Sequence, residues 1–141
     1  MSSREGERED YDAWMAQVPG AITSERTWKF YACRKALYLY DLCWDDCTEL
    51  TRHPLGRPVA HQLIRSAGSL SANIEEGYGR GWGKDRLYFL RVALGSAGES
   101  KGWYYRAKAL MTPDTLAQRL SLLGEIIALL ITELNRRRAQ Q

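Results

Sequence analysis

The sequence predicts an all-α chain, an up-down antiparallel four-helix bundle, and three observations carry that reading. Apolar residues recur in steps of three and four along four long stretches, the spacing that lines one face of a helix. No stretch makes a convincing strand. Short connections bearing proline or glycine separate the stretches, and such connections set consecutive helices side by side and antiparallel. With 141 residues the chain can build one real core but not two comfortable ones. The expected organisation is an acidic, flexible extension over 1–27, a bundle domain over 28–138 and a tail over 139–141.

Residues 1–27 are polar and acidic and are broken by Pro19 and Gly20, with Trp14 and Met15 available to dock on a folded body. The first helix spans about 28–50, with Cys33, Ala36, Leu37, Tyr40, Cys43, Trp44, Cys47 and Leu50 on one face. Asp41, Asp45, Asp46 and Glu49 occupy much of the rest. Pro54, Gly56 and Pro58 punctuate its end, and Pro58 suits the first turn of a second helix, where its missing N–H costs nothing. That helix carries Leu63, Ala67, Leu70 and Ile74 beside a polar row of Ser66, Ser69, Asn73 and Glu76. The third begins near Lys84 and shows Leu90, Ala93, Ala97, Ser100, Tyr104, Ala107 and Met111. Thr112 then caps, and Pro113 opens, a fourth helix with Leu116, Leu120, Leu123, Ile127, Leu130 and Leu134. A second apolar row, Leu122, Ile126 and Leu129, widens its buried face beyond what a single bundle needs. Those three residues are the expected contact with another subunit.

The net charge of +3 is unevenly spread. Residues 1–27 hold three arginines against six acids, and 80–111 hold seven basic residues against Asp85 and Glu99. A basic segment inside a nearly balanced chain points to an anionic partner. No apolar leader follows the start, and the run LLGEIIALLIT reads as too short to span a bilayer, so the expected compartment is the cytoplasm, with no membrane partner. Cys33, Cys43 and Cys47 fall on the apolar stripe and read as small buried hydrophobes rather than a disulfide or metal set.

Residues 76–84, EGYGRGWGK, offer three readings: a phosphate cradle, an RNA-binding glycine–arginine–aromatic run, or a turn. A Walker-type loop fails on spacing, because Tyr78 stands where its first glycine belongs and Asp85 where its serine or threonine belongs. A dinucleotide fingerprint fails too, since Trp82 and Lys84 occupy the glycine positions and a helix precedes the loop. Gly77 and Gly79 fall where the second helix must end, so the stretch is first a helix terminator and connector. It gathers Tyr78, Arg80, Trp82, Lys84 and Arg86 at one end of the bundle, where rings can stack on bases and cations can pair with phosphates.

The flanks carry a resemblance. SLSANIEEGYGR at 69–80 and FLRVALGSAGE at 89–99 resemble the four-helix-bundle family of 23S rRNA intervening-sequence proteins, to which the accessory variability proteins of diversity-generating retroelements are related. The match lies in Ala72, Asn73, Ile74, Glu76, Gly77, Gly79 and Arg80, then in Phe89, Leu90, Ala93, Gly95, Ser96 and Glu99. The resemblance implies a bundle assembling as a ring-like homopentamer and, from the retroelement relatives, binding to nucleic acid and to a reverse transcriptase. The acidic 1–27 segment departs from the family pattern.

Gly95, Gly98 and Gly102 line one side of the third helix and read as packing residues that let another backbone approach. Asn73 and Glu99 read as a structural polar pair, hydrogen-bonded across the bundle. The case for an enzyme is weak: His53 and His61 fall in no nucleophile or metal signature, and Glu49 lies one residue too far from His53 for a bundle metal motif. The acidic face of the first helix reads as solvated or as pairing with a neighbour's basic helix. No cofactor, metal or catalytic residue is expected.

Two functions remain. One is a non-enzymatic, oligomeric nucleic-acid-binding accessory protein, assisting a reverse transcriptase or a structured RNA. Its contacts would be Tyr78, Arg80, Trp82, Lys84, Arg86, Arg91, Lys101, Arg106 and Lys108, with Arg136, Arg137 and Arg138 as a second cluster. The other is an oligomeric scaffold whose basic surface docks an acidic protein.

Overall fold

Helix formation follows the periodic stretches. The computed structural model describes the backbone of residues 3–81 and 83–139 and the side chains of residues 5–81 and 83–136. Two N-terminal helices, α1 (Ser3–Gln17) and the single turn α2 (Gly20–Thr23), precede four long ones: α3 (Tyr31–Leu50), α4 (Gly56–Gly79), α5 (Lys84–Arg106) and α6 (Pro113–Ala139). Short 3-10 turns lie at Arg26–Lys29 and Lys108–Leu110, and no strand occurs among the described residues. Pro58 sits inside the first turn of α4, and the Thr115 amide donates to Thr112 Oγ1 at 3.2 Å, the cap expected of α6. The first expected helix begins later than its sequence pattern, because 26–29 tighten into the 3-10 turn.

The all-helical chain closes on one core. α3 packs on α4, α4 on α5 and α5 on α6, while α6 returns to α3. Leu39, Leu50, Leu63, Leu70, Ile74, Leu90, Leu123, Ile126 and Leu130 are fully buried there. Cys33, Cys43 and Cys47 are buried with them as free thiols, and burial pushes the Cys33 thiol up to about 12.

The seam between α4 and α5 is built from small residues and hydroxyls. Ser66 and Ser100 share a hydrogen bond of 2.9 Å, as do Ser69 and Ser96 at 2.8 Å. Gly77 does not terminate its helix, which runs on to Gly79. It is buried, and a Cβ placed there would lie 3.1 Å from Leu90 Cδ2 and 3.3 Å from Phe89 Cβ, so a side chain would fit only if these neighbours shifted by a few tenths of an ångström. The positive-φ glycine is instead Gly83, at φ 127, which starts α5.

A second polar joint lies inside the other half of the body. Asp46 of α3 accepts from Tyr104 of α5 at 2.8 Å and from Arg119 of α6, Nε at 2.7 Å and Nη2 at 3.1 Å. Asp46 is therefore neither a solvated acid nor a partner for a neighbour's helix. Burial alone would lower the pKa of Arg119, but its bonds to Asp46 outweigh that and raise it. His53 does local work, its Nδ1 accepting the Leu55 amide at 3.2 Å in the α3–α4 turn.

The N-terminal segment differs from the flexible extension read from its composition. α1 docks through Trp14, whose indole N–H donates to Asp41 at 2.8 Å, and Tyr11 and Trp14 both pack on Tyr38 with ring centroids 5.2 Å away. Lys35 Nζ lies 4.5 Å from the Tyr11 ring. Glu5, Glu9, Asp10 and Asp12 of α1 are exposed while these rings provide the anchor. Of the 139–141 tail, Ala139 closes α6 and residues 140–141 lie outside the described residues.

On α6 the core draws on both apolar rows: Leu123, Leu130 and Leu134 of the first are buried as expected, and Leu122 and Ile126 of the second are buried with them. Ile126 is fully buried and Leu122 is 6% exposed, both inside this chain's own core, so neither is free to meet another subunit. Leu129 is half-buried against the same core. The surplus apolar surface lies on the other flank, where Leu116, Leu120 and Ile127 are half-buried and Ile131 is 43% exposed. Over Pro113–Arg136, α6 is also long and apolar enough to cross a membrane by length and composition, contrary to the shorter run read from the sequence.

Candidate nucleic-acid interface

The end of α4 and the start of α5 divide the expected cations into two kinds. Arg86 is only 1% exposed. Its Nη2 donates to the carbonyls of Tyr78 and Arg80 at 3.2 and 3.3 Å, and its guanidinium lies 5.2 Å from the Tyr78 ring and 5.8 Å from the Phe30 ring. Tyr78 is buried as well, stacked on Phe30 with centroids 3.8 Å apart. Neither residue is available to a nucleic acid, which corrects their assignment. They fasten the connector down: Arg86 ties the last turn of α4 to the loop, and Phe30 clamps that turn from the start of α3.

Arg80 is exposed but engaged. It donates twice to Glu76 Oε1, at 2.9 and 2.7 Å, approaches Asp85 at 3.9 Å and lies 5.2 Å from the Phe89 ring. Trp82 lies outside the described residues. Arg136 pairs with Glu133 at 2.7 Å, and the side chains of Arg137 and Arg138 lie outside the described residues.

The remaining cations fall on α5 and just beyond it. Lys84, Arg91 and Lys101 are exposed, with no ion pair among the described residues. Arg106 is exposed 4.8 Å from the Trp103 ring, and Lys108 is exposed 4.2 Å from the Tyr105 ring. Steps of three and four join Lys84, Tyr88, Arg91, Gly95, Gly98, Gly102 and Arg106 into one outward stripe. Tyr88 is 61% exposed, and Tyr105 beside the far end is 57% exposed.

Gly95 and Gly98 do not receive another backbone of this chain, as their packing role required. A Cβ at either would meet nothing within 4 Å, and at Gly102 it would meet only the mobile end of Arg106, at 2.9 Å. The stripe is thus a shallow, glycine-floored trough with cations and tyrosines towards its ends. Beside its Arg91 end a groove of about 290 Å³ is lined by Leu94, Ile131 and Leu134, so it adjoins the surplus apolar flank of α6. Sequence reasoning missed this continuity. The step of three and four from Lys84 to Arg106 was the available signal.

Asn73 and Glu99 do not pair. Asn73 Nδ2 donates to Ser69, to its carbonyl at 2.7 Å and its hydroxyl at 3.2 Å, while Glu99 forms an ion pair with Arg65 at 2.5 Å on the surface. Asn73 sits one turn from Ser69 and so joins the hydroxyl ladder, whereas Glu99 projects past it. Among the described residues no group of three or more His, Cys, Asp or Glu is placed to hold a metal ion.

The polar residues of the two sequence motifs therefore work chiefly at one joint: Ser69, Asn73 and Ser96 in the ladder, Glu76 and Arg80 at its end, Gly77 against Leu90. Together with the trough, they define an all-helical protein with one core and one basic face. Within that class, the family model of the 23S rRNA-intervening sequence protein matches residues 32–132, and the chain belongs to that family. A crystal structure of a protein of unknown function, from the S23 ribosomal protein family of Bacteroides thetaiotaomicron VPI-5482, is similar with a TM-score of 0.68. The two are 23% identical over 74% of this chain and 95% of that one, a likeness of fold. No curated protein matches the chain.

Proposed function

We propose that the chain is a non-enzymatic nucleic-acid-binding accessory protein, folded as an up-down antiparallel four-helix bundle and assembled as a ring-like homopentamer. Antiparallel pairing is supported by contacts that run in opposite senses: Tyr40 near Gly68 and Cys47 on Ala60, then Ser66 on Ser100 and Ser69 on Ser96. The observation that carries the functional reading is the exposed stripe of α5. Its cations are free of internal partners at Lys84 and Arg91, its floor admits close approach, and its tyrosines are available for stacking. A ring would repeat that stripe in each subunit and turn a modest charge into a dense array.

The surface for assembly is the glycine floor together with Ile127 and Ile131, rather than Leu122 and Ile126. Helices approach closely where Cβ atoms are missing, and Ile131 is a large apolar side chain that the monomer leaves open. A reverse transcriptase or a structured RNA as partner, a cytoplasmic location and independence of membranes complete the proposal.

Fluorescence anisotropy with labelled RNA and DNA, at low and physiological salt, tests the reading. Affinity is expected to fall steeply with salt as condensed counterions are released. Lys84→Ala and Arg91→Ala are expected to weaken binding across sequences and flatten the salt slope by about one each. No binding of either nucleic acid at low salt would move the assignment to a scaffold for an acidic protein, with Tyr88 and Tyr105 as its contacts.

A further inference from the structure

Between the N-terminal segment and the helices beneath it lies a half-open cleft of about 370 Å³. Trp14 and Trp28 form part of its wall, with ring centroids 5.9 Å apart and planes inclined by 32°. Leu37 adds apolar surface. Three carboxylates, Glu25, Asp41 and Glu75, line the same space, and no described lysine or arginine does. Asp41 holds the Trp14 indole in place through the 2.8 Å bond from Nε1. Glu75 has no hydrogen-bond or ion-pair partner among the described residues; its side chain is exposed, yet neighbouring atoms shield it from part of the surrounding water and push its carboxyl pKa up. Trp28 already carries one cation: the Arg34 guanidinium lies 5.2 Å from its ring, outside the cleft lining.

We propose that this cleft binds a small organic cation, a quaternary ammonium or an alkylguanidinium, held against the Trp14 and Trp28 indoles and balanced by Glu25, Asp41 and Glu75. Aromatic faces attract cations through their quadrupoles, and quaternary ammonium groups are recognised in such surroundings. The three carboxylates are exposed along the cleft, where they give it a negative potential that favours a cation. A metal ion is the wrong occupant, because no described cluster of acids is close enough to coordinate one. The volume suits a small molecule rather than a folded segment, lying near the lower end of ligand sites, which begin at about 300 Å³. Trp14, Glu25 and Trp28 precede the residues that match the family model and Leu37, Asp41 and Glu75 lie within them, so the cleft forms where the N-terminal segment meets the family body. The proposal stands apart from nucleic-acid binding, which uses α5.

The test is titration of the full-length, isotope-labelled protein with choline or agmatine, followed at the indole N–H resonances of its five tryptophans. Saturable shifts are expected at Trp14 and Trp28 while Trp44 and Trp103 stay still. Glu75→Gln is expected to weaken binding about tenfold through loss of one charge attracting the cation, without altering the rest of the spectrum. 3,3-Dimethylbutanol, the neutral counterpart of choline, is the control. Absence of a saturable shift with either cation would overturn the proposal, as would equal binding of the neutral control. Tighter binding of N-acetyl-arginine amide than of agmatine would overturn the small-molecule assignment in favour of an arginine of a partner protein.

Discussion

Asp46 holds three helices with one carboxylate, since Tyr104 and Arg119 both donate to it. The Asp46 and Arg119 side chains are 11% and 14% exposed, so removing one charge strands the other in a poorly solvated place. Asp46→Asn is expected to lower the unfolding free energy by about 3 kcal/mol in urea denaturation, much more than an exposed acid such as Asp45. Glu75 supplies the opposite case. Its folded pKa is raised above the ordinary 4.5 by burial, so the folded state favours the protonated form. Its contribution to stability is therefore most favourable below pH 4.5 and declines as pH rises through the folded value. Glu75→Gln is expected to melt at a higher temperature than the parent at pH 7, with the gap closing towards pH 4. A gap independent of pH would contradict that origin.

The positions of the four long helices were legible because their boundaries carry their own chemistry, from Pro58 in the first turn of α4 to the Thr112 cap of α6, whereas α1 was not, since its anchoring rings sit in an acidic, polar stretch. Helix orientation was less legible. A double apolar row on α6 reveals the width of the buried face but not which row points to the axis, and Ile126 rather than Leu120 turned out to lie there. Tyr78 and Arg86 read as surface binders because their types are common in such sites. They are buried by Phe30, a residue remote in sequence that local spacing could not place. The exposed cations of α5 were legible from composition alone. The glycine of the α4–α5 seam and those of the exposed α5 stripe differ in the same way, and their alanine variants separate them. Gly77→Ala is expected to destabilise by about 1 kcal/mol, because overpacking against Leu90 and Phe89 outweighs the gain in helix propensity. Gly95→Ala and Gly98→Ala are each expected to stabilise the isolated chain by up to about 1 kcal/mol, their Cβ atoms entering open space. If the trough is where subunits meet, the same two variants shift sedimentation towards monomer, while a stabilising effect without loss of assembly would remove the trough from the interface.

For the whole molecule, charge and apolar surface are unevenly distributed. Ile131 and Tyr88 stand open on the side of the basic stripe, while the acidic α1 is anchored on α3 through Tyr38. The acidic segment therefore does not cover the α5 stripe, and both surfaces are presented at once. Light scattering at micromolar concentration is expected to report several times the 16.1 kDa chain mass. A monomeric mass would leave the α6 flank for a protein or membrane partner instead.

The three glycines of the trough also set where the helix breathes. Helices ordinarily fray from their ends, but α5 is fastened at one end by Arg86 and at the other by Tyr104, and its least helix-favouring residues fall between. At Gly95 and Gly98 a Cβ would meet nothing within 4 Å, so the helix carries no side chain and meets no neighbour there. In dilute protein the amides at these glycines are expected to exchange with deuterium faster than the other internally hydrogen-bonded amides of α5, and to slow as concentration rises. Opening would then begin at the centre of α5, so any partner that settles into the trough acts as a splint for the middle of the helix.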